Sequence, residues 1–244
     1  MNNLDTLIEN GLVVTENEIC HLNIGIKDGK IAYLGDENLN AELKINASDL
    51  IVLPGGVDPH VHVDQPSGDD VIMADNFQSA TKSAAAGGNT TILPFAMQIK
   101  GQSLRKCVED YHKKAQGNMY IDTSFHLIIS DPTPQVLGQE LPALSKDGYT
   151  SFKVFMTYDD LVLNDKELIE VFDVAKQLKT LVMVHAEGYD SIKYLSDKFE
   201  KEGKTAPYYH APTRPQIVER EATHRAISHA QIVDIPLMLS LIHI

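Results

Sequence analysis

The sequence lacks tryptophan, has only two cysteines and contains no long apolar run. Its 244 residues carry 21 Lys+Arg against 34 Asp+Glu, which gives a formal net charge of -13. This shortage of positive charge argues against nucleic acid or an anionic membrane as the main partner, because both bind basic surfaces. No stretch approaches the roughly 18 apolar residues of a membrane-spanning helix, and residues 1–5 lack the features of a secretory signal.

The two cysteines, Cys20 and Cys107, lie far apart and match no CxxC spacing. A disulfide scaffold or a cysteine metal site is therefore not expected. We predict buried thiols in a reducing compartment, with the cytoplasm as the expected location. The remaining composition is that of a globular protein, with 43% hydrophobic and 23% charged residues.

The first 52 residues read as short strands. Residues 6–11 predict a strand and a turn, and 12–14, 22–26, 31–35, 43–45 and 50–53 add further strands. The dipeptide Asp28-Gly29 lies between two alternating segments, which predicts a tight hairpin. We therefore expect a small all-β layer at the beginning of the chain.

From residue 54 onward, strands alternate with helices. Strands are predicted at 56–62, 90–95, 123–129, 151–156, 181–185 and 236–239. Helices are predicted at 74–86, 103–115, 135–144, 165–178, 189–202 and 216–232. Repeated β–α units with continuously apolar strands predict an α/β fold built on a parallel sheet of six strands, either open or closed.

The strongest local feature is the pair His60 and His62 at the end of the first of these strands. In an extended chain, residues i and i+2 point to the same side, so two imidazoles lie close enough to bind one metal ion. The carboxyl end of a strand is also where β–α proteins place their chemistry. The alternative is a pair of surface histidines in a loop.

Four further polar residues occur in or just after apolar strands. Lys153 is unusual within a buried strand, so either it pairs with a carboxylate or chemistry removes its charge. His185 ends a strand, where a lone histidine is more often a satisfied polar residue than a ligand. Tyr158 follows the Lys153 strand and either donates a hydrogen bond into a pocket or packs as a loop aromatic. His126 reads as a core histidine with one hydrogen bond.

Taken together, several motifs resemble those of the cyclic amidohydrolases, and most closely the dihydropyrimidinases and hydantoinases. The resemblance runs in order from about residue 5 to residue 239. It rests on the segments 54–62 (PGGVDPHVH), 85–91 (AAGGNTT), 152–158 (FKVFMTY), 184–187 (VHAE) and 214–222 (RPQIVEREA). The family fold implied is a metal-bearing (β/α)8 TIM barrel with a β-sandwich built from both chain ends.

The resemblance implies two domains, an N-terminal β-sandwich segment at residues 1–52 and a partial barrel at 53–244. The barrel part then has about 190 residues and six strands, slightly below the roughly 200 residues of a small complete barrel. An incomplete barrel is therefore expected, with two strands missing. We expect the 244-residue polypeptide to be inactive and poorly soluble, because such a sheet leaves edges and apolar faces uncovered.

The resemblance also implies a centre of two divalent metal ions, usually zinc. His60 and His62 would hold one ion, His185 would hold the other, and Lys153, carboxylated on its amine, would bridge them. Metal-activated water would open a cyclic amide or imide to an N-carbamoyl amino acid, and Tyr158 would stabilise the developing oxyanion. The partners implied are a small-molecule substrate and further copies of the chain, commonly in a tetramer.

The chain departs from the family pattern at several positions. The sixth-strand histidine ligand would align with Leu241, whereas His243 lies two residues later, so we do not expect His243 to bind metal. The eighth-strand aspartate has no counterpart, and Gly188 replaces the asparagine that usually follows the 184–187 motif. The alternatives are an allantoinase or dihydroorotase, or a non-catalytic assembly protein of the dihydropyrimidinase-related kind. The presence of all four implied ligands argues against the non-catalytic protein.

Overall fold

The structure is a computed structural model that describes residues 4–68 and 71–239. The chain divides into two compact units, one through Gly56 and the other from Val57 onward. None of the helices in the described ranges is long and apolar enough to cross a membrane. Each unit is built around its own sheet.

The first unit contains a sheet of five strands. These are β1 (Leu4–Val14), β2 (Ile19–Lys27), β3 (Lys30–Gly35), β4 (Ala41–Asn46) and β5 (Ile51–Val52). The order is β3-β2-β1-β4, and β5 also pairs with β1. The predicted hairpin is confirmed, because Asp28 and Gly29 both adopt positive φ angles, of 51° and 70°, between antiparallel β2 and β3.

The turn predicted within residues 6–11 was wrong. β1 instead runs unbroken to Val14, with a register shift between Ile8 and Gly11. Asn10 has a φ of 67° and donates its backbone N–H to Asn23 Oδ1 at 3.0 Å, so the strand bulges without reversing. Gly11 serves close packing, because a Cβ there would lie 2.6 Å from Val52 Cγ2.

The second unit contains a curled parallel sheet, which confirms the predicted α/β class. Its strands are β6 (Gly56–Val61), β7 (Asn89–Met97), β8 (Asp122–Thr123), β9 (His126–Ile128), β10 (Ser151–Phe155), β11 (Leu181–His185) and β12 (Leu237–Leu239). Six of them follow the order β12-β11-β10-β9-β7-β6, and β8 pairs only with β7. The single strand predicted at 123–129 is therefore split into β8 and β9.

Helices alternate with these strands, largely as predicted. They are α1 (Phe77–Ala86), α2 (Leu104–Ala115), α3 (Leu141–Lys146), α4 (Asp165–Leu178), α5 (Tyr189–Lys201) and α6 (Gln216–Val233). The helix predicted at 135–144 begins instead as a π-helical turn, Val136–Glu140. The carboxylate of Glu140 is buried there and accepts the backbone N–H of Leu104 at 2.6 Å, which caps α2.

The core of the second unit lies between the helices and the sheet. The apolar face predicted for α4 is confirmed, since its four side chains are fully buried: Leu168, Val171, Phe172 and Ala175. They pack into one cluster with buried side chains of the central strands, including Phe152, Val154 and Val182. This packing fixes the strand ends on which the polar residues lie.

The amino end of α4 is closed by a capping box. Asn164 Oδ1 accepts the backbone N–H of Glu167 at 3.0 Å, and Glu167 Oε2 accepts that of Asn164 at 2.8 Å. We expect Asn164→Ala to lower the free energy of unfolding by about 1 kcal/mol, because the backbone N–H of Glu167 loses its acceptor. Urea unfolding measures this, and Asn164→Ser, which keeps a capping oxygen, is the matched control. Equal stability of the two variants would contradict the role of the cap.

Candidate metal centre

His60 and His62 lie side by side at the carboxyl end of β6. Their ring centroids are 5.6 Å apart, and both rings pack on Phe95 of β7, at 4.8 and 4.9 Å. Asp58 holds the turn of the chain, because its side chain accepts the backbone N–H of His60 at 3.0 Å. The i, i+2 spacing therefore places both imidazoles on the same side of the strand.

The electrostatics around His60 favour its neutral form. Burial, together with the nearby charges of Lys153, His62 and His126, lowers the pKa of His60 to about 4. Only the neutral imidazole has a lone pair to give to a metal ion. At neutral pH His60 is therefore in the form that binds metals.

Lys153 is buried in the middle of β10, with 2% of its surface exposed. Its ammonium lies 5.7 Å from the ring of Phe95 and 5.4 Å from the ring of Phe155. Within residues 4–68 and 71–239 it makes no ion pair and no hydrogen bond. Burial lowers the pKa of Lys153 to about 8. Of the two explanations for this lysine, pairing with a carboxylate fails among the described residues, which favours removal of its charge by chemistry.

His185 lies across the site, at the end of β11. Its ring stacks on Phe155 at 5.5 Å and contacts Tyr158 at 5.4 Å. Its Nε2 lies 2.8 Å from Glu187 Oε2, and Arg214 Nε is 3.8 Å from the other carboxylate oxygen. Phe95 packs against His60 and His62, and Phe155 stacks on His185. Because the Lys153 ammonium lies near both phenylalanine rings, it is near both groups of histidine side chains.

Tyr158 follows β10 in a left-handed backbone conformation with a φ of 71°. Such a conformation is unfavourable for an aromatic residue, and strained backbone of this kind often occurs at functional sites. Burial and the charge of Glu187 raise the pKa of the Tyr158 hydroxyl above its usual value. The hydroxyl therefore remains a hydrogen-bond donor at neutral pH, beside His185.

His126 is not available as a ligand. Its Nε2 lies 2.8 Å from the carbonyl oxygen of Pro59, which can only accept, so Nε2 carries a proton. Its Nδ1 accepts from the hydroxyl of Ser151. The sequence predicted a core histidine with one hydrogen bond. The structure gives it two, and the bond to Pro59 holds the strand that carries His60.

One cavity, with a volume of about 510 Å³, brings all five predicted site residues together: His60, His62, Lys153, Tyr158 and His185. In the described ranges, no three His, Cys, Asp or Glu side chains converge as a metal site. The candidate donors form two groups, the His60–His62 pair and His185, and the Lys153 ammonium lies near the phenylalanine rings that pack against both groups. Leu241 and His243 lie outside the described residues.

The sequence analysis missed two residues of the site. Phe95 was read as part of an apolar strand, although its ring supports both histidines. Gln65 follows β6 in a loop, where no periodicity marks it, yet its side chain contacts His62 at 2.8 Å. A polar residue three positions after His62 is a weak signal in the sequence, and its contact with the imidazole becomes visible only in the loop geometry.

Comparison with known proteins finds relatives that are similar in sequence and in structure. The model of the amidohydrolase family matches residues 51–224. A D-hydantoinase of Rhizobium radiobacter is 46% identical over 237 residues, covering 97% of this chain and 51% of the relative. A dihydropyrimidinase of Rattus norvegicus is 35% identical over 96% of this chain and 46% of the relative. A solved D-hydantoinase structure superposes with a TM-score of 0.93 at 45% identity, covering 97% of this chain and 51% of that one. The chain spans about half the length of the curated relatives it matches.

Proposed function

Because the chain belongs to the amidohydrolase family, we propose that the protein containing it hydrolyses the cyclic amide bond of dihydropyrimidines or hydantoins. The product would be an N-carbamoyl amino acid. The observation on which the proposal rests is Lys153, a buried cation without a partner among the described residues. It lines one cavity together with the His60–His62 pair and His185. The similarity to a D-hydantoinase and a dihydropyrimidinase supports hydantoins and dihydropyrimidines as the proposed substrates.

Amidohydrolases are metal-dependent, and the residues present fit two divalent ions, which we propose to be Zn²⁺. His60 and His62 would hold one ion and His185 the other, since imidazole nitrogen is a preferred zinc donor. The Lys153 amine would attack CO2, forming an N–C bond and releasing one proton, and the carbamate would bridge the ions. When bound, the ions supply Lewis acidity and an activated water. The fit rests on the buried lysine, since the carbamate replaces an unfavourable buried cation with an anionic oxygen donor.

The chain's own residues would bind and orient the ring of the cyclic amide substrate. Phe155 gives the cavity an apolar lining and stacks on His185, and the buried Phe95 stacks on His62. The hydroxyl of Tyr158 would donate a hydrogen bond to the carbonyl oxygen, where negative charge develops as the amide bond is attacked. Tyr158 is therefore proposed as the catalytic residue.

Removal of that donor gives a testable result. We expect Tyr158→Phe to lower kcat by about 100-fold to 1000-fold with little change in KM, because the interaction forms only in the transition state. Steady-state kinetics of ring opening measure this. Tyr194→Phe, at an exposed position of α5, is the matched control and should be unchanged. A larger change in KM than in kcat would place Tyr158 in ground-state binding instead.

A substrate panel tests the proposed function itself. The open reading frame that contains this chain is expressed with Zn²⁺ and bicarbonate, and offered dihydrouracil, a 5-substituted hydantoin, dihydroorotate and allantoin. We expect the first two to yield N-carbamoyl amino acids, detected by mass spectrometry. Turnover of dihydroorotate or allantoin alone would favour the sister enzymes, and absence of bound zinc would favour a non-catalytic assembly protein.

Three further proposals rest on the resemblance. They are the division into a β-sandwich segment (1–52) and a barrel (53–244), a homotetramer, and a cytoplasmic location. Cys107 is buried as predicted, whereas Cys20 is only partly buried, and both are free thiols. Light scattering of the purified protein checks the tetramer.

A further inference from the structure

Two polar side chains that line the cavity, those of Gln65 and Glu187, contact a ring nitrogen of His62 and of His185 respectively. We propose that Gln65 and Glu187 are positioning residues, which keep a proton on His62 Nδ1 and on His185 Nε2. The lone pairs are then on His62 Nε2 and His185 Nδ1, which are the nitrogens presented to a metal ion. The metal part of this inference rests on the proposed function, whereas the proton positions do not.

The hydrogen bonds of Gln65 fix the orientation of its own amide. Its Nε2 donates to the carbonyl oxygen of Phe95 at 3.0 Å, and a carbonyl oxygen can only accept. Its Oε1 therefore faces His62 Nδ1, at 2.8 Å. Because an amide oxygen also only accepts, Nδ1 must be the protonated nitrogen of His62. The backbone N–H of Gln65 donates to Met73 Sδ at 3.1 Å, which holds the loop in place.

The same reasoning gives the opposite nitrogen for His185. The carboxylate of Glu187 only accepts, so the 2.8 Å contact requires a proton on His185 Nε2. Arg214 lies 3.8 Å from the other oxygen of Glu187, and both side chains are mostly buried, at 24% and 19% exposed. A carboxylate neutralised on one side and hydrogen-bonded to imidazole on the other holds the ring and raises the basicity of its free nitrogen.

The two histidines thus present different nitrogens to one cavity. In free neutral histidine the proton favours Nε2, so the proton position at His62 is the one that needs a partner. The sequence offers no sign of this arrangement, because Gln65 and Glu187 lie in loops after different strands. Partners of this kind commonly contribute about 10-fold to 100-fold to metal affinity.

The experiment compares four variants with the unaltered protein. Gln65→Leu and Glu187→Leu keep the approximate side-chain size and remove the acceptor. Glu187→Gln is the conservative variant, because its amide oxygen can still accept from Nε2–H. Gln177→Leu, at an exposed position of α4, is the control. Nitrogen NMR of ¹⁵N-histidine-labelled, metal-free protein reports which ring nitrogen is protonated, and competition with a chromophoric chelator gives the Zn²⁺ affinity.

We expect Nδ1–H at His62 and Nε2–H at His185, with His62 changing to Nε2–H in Gln65→Leu. Each leucine variant should bind Zn²⁺ about 10-fold to 100-fold more weakly, with partial rescue in Glu187→Gln and no change in Gln177→Leu. A His62 proton on Nε2 in the unaltered protein, or one unaffected by Gln65→Leu, would overturn the inference whatever the zinc result. The expected proton positions without zinc uptake by the unaltered protein would overturn the proposed function and leave the proton assignment standing.

Discussion

Replacing His60 and His62 together by asparagine is expected to remove one metal ion per chain and to lower hydrolysis at least about 1000-fold. Metal ions supply several kcal/mol of transition-state stabilisation, and about 4 kcal/mol corresponds to a factor of 1000. Asparagine keeps a polar side chain at each position but has no imidazole nitrogen to bind a metal ion. Elemental analysis of the purified protein gives the metal content, and product formation gives the rate.

The matched control is His21→Asn with His224→Asn, which removes two exposed histidines outside the site. Metal content and rate should both equal those of the unaltered protein. Because one ion depends on His185 and the carboxylated Lys153 in the proposed arrangement, the site variant should retain residual metal. A site variant that keeps its full metal content would contradict the assignment of His60 and His62 as ligands.

The sequence predicted most of the fold because its strongest signals are local. The apolar face of α4 and the Asp28-Gly29 hairpin follow from side-chain periodicity and from backbone preference, both of which act within a few residues. The predictions were wrong where contacts between residues far apart in the sequence determine the local structure. β1 continues past Gly11 because Val52 packs there, and the π-helical turn ends at Glu140, whose carboxylate caps another helix.

The same division applies to the site. His60 and His62 were identifiable because spacing alone places them on one side of a strand, and Lys153 because a cation in an apolar strand conflicts with burial. Gln65 and the contact of Glu187 with His185 could not be predicted, because each depends on how a loop folds back on its own strand. The residues proposed to bind metal were therefore visible in the sequence, whereas the residues proposed to orient them required coordinates.

Lys153→Met is expected to stabilise the metal-free protein and to abolish the hydrolytic activity of the metal-loaded protein. Burial lowers the pKa of Lys153 from 10.5 to about 8, and one pKa unit corresponds to about 1.4 kcal/mol. At pH 7 the folded protein therefore carries a buried charge at a cost of about 3 kcal/mol, which a methionine of similar shape avoids. Such a cost is retained where function requires the residue, and the same substitution removes the proposed bridging ligand.

The pH dependence distinguishes this explanation from simple improvement of packing. Between pH 8 and 10.5 the unfolded chain binds a proton at Lys153 that the folded protein does not, so the stability of the unaltered protein rises with pH there. The advantage of Lys153→Met should thus be constant below pH 8 and vanish above pH 10.5. Urea unfolding with a chelator in CO2-free buffer measures it, with Lys166→Met, at an exposed position of α4, as the control. A stability difference that does not vary with pH would show that the buried charge is not its cause.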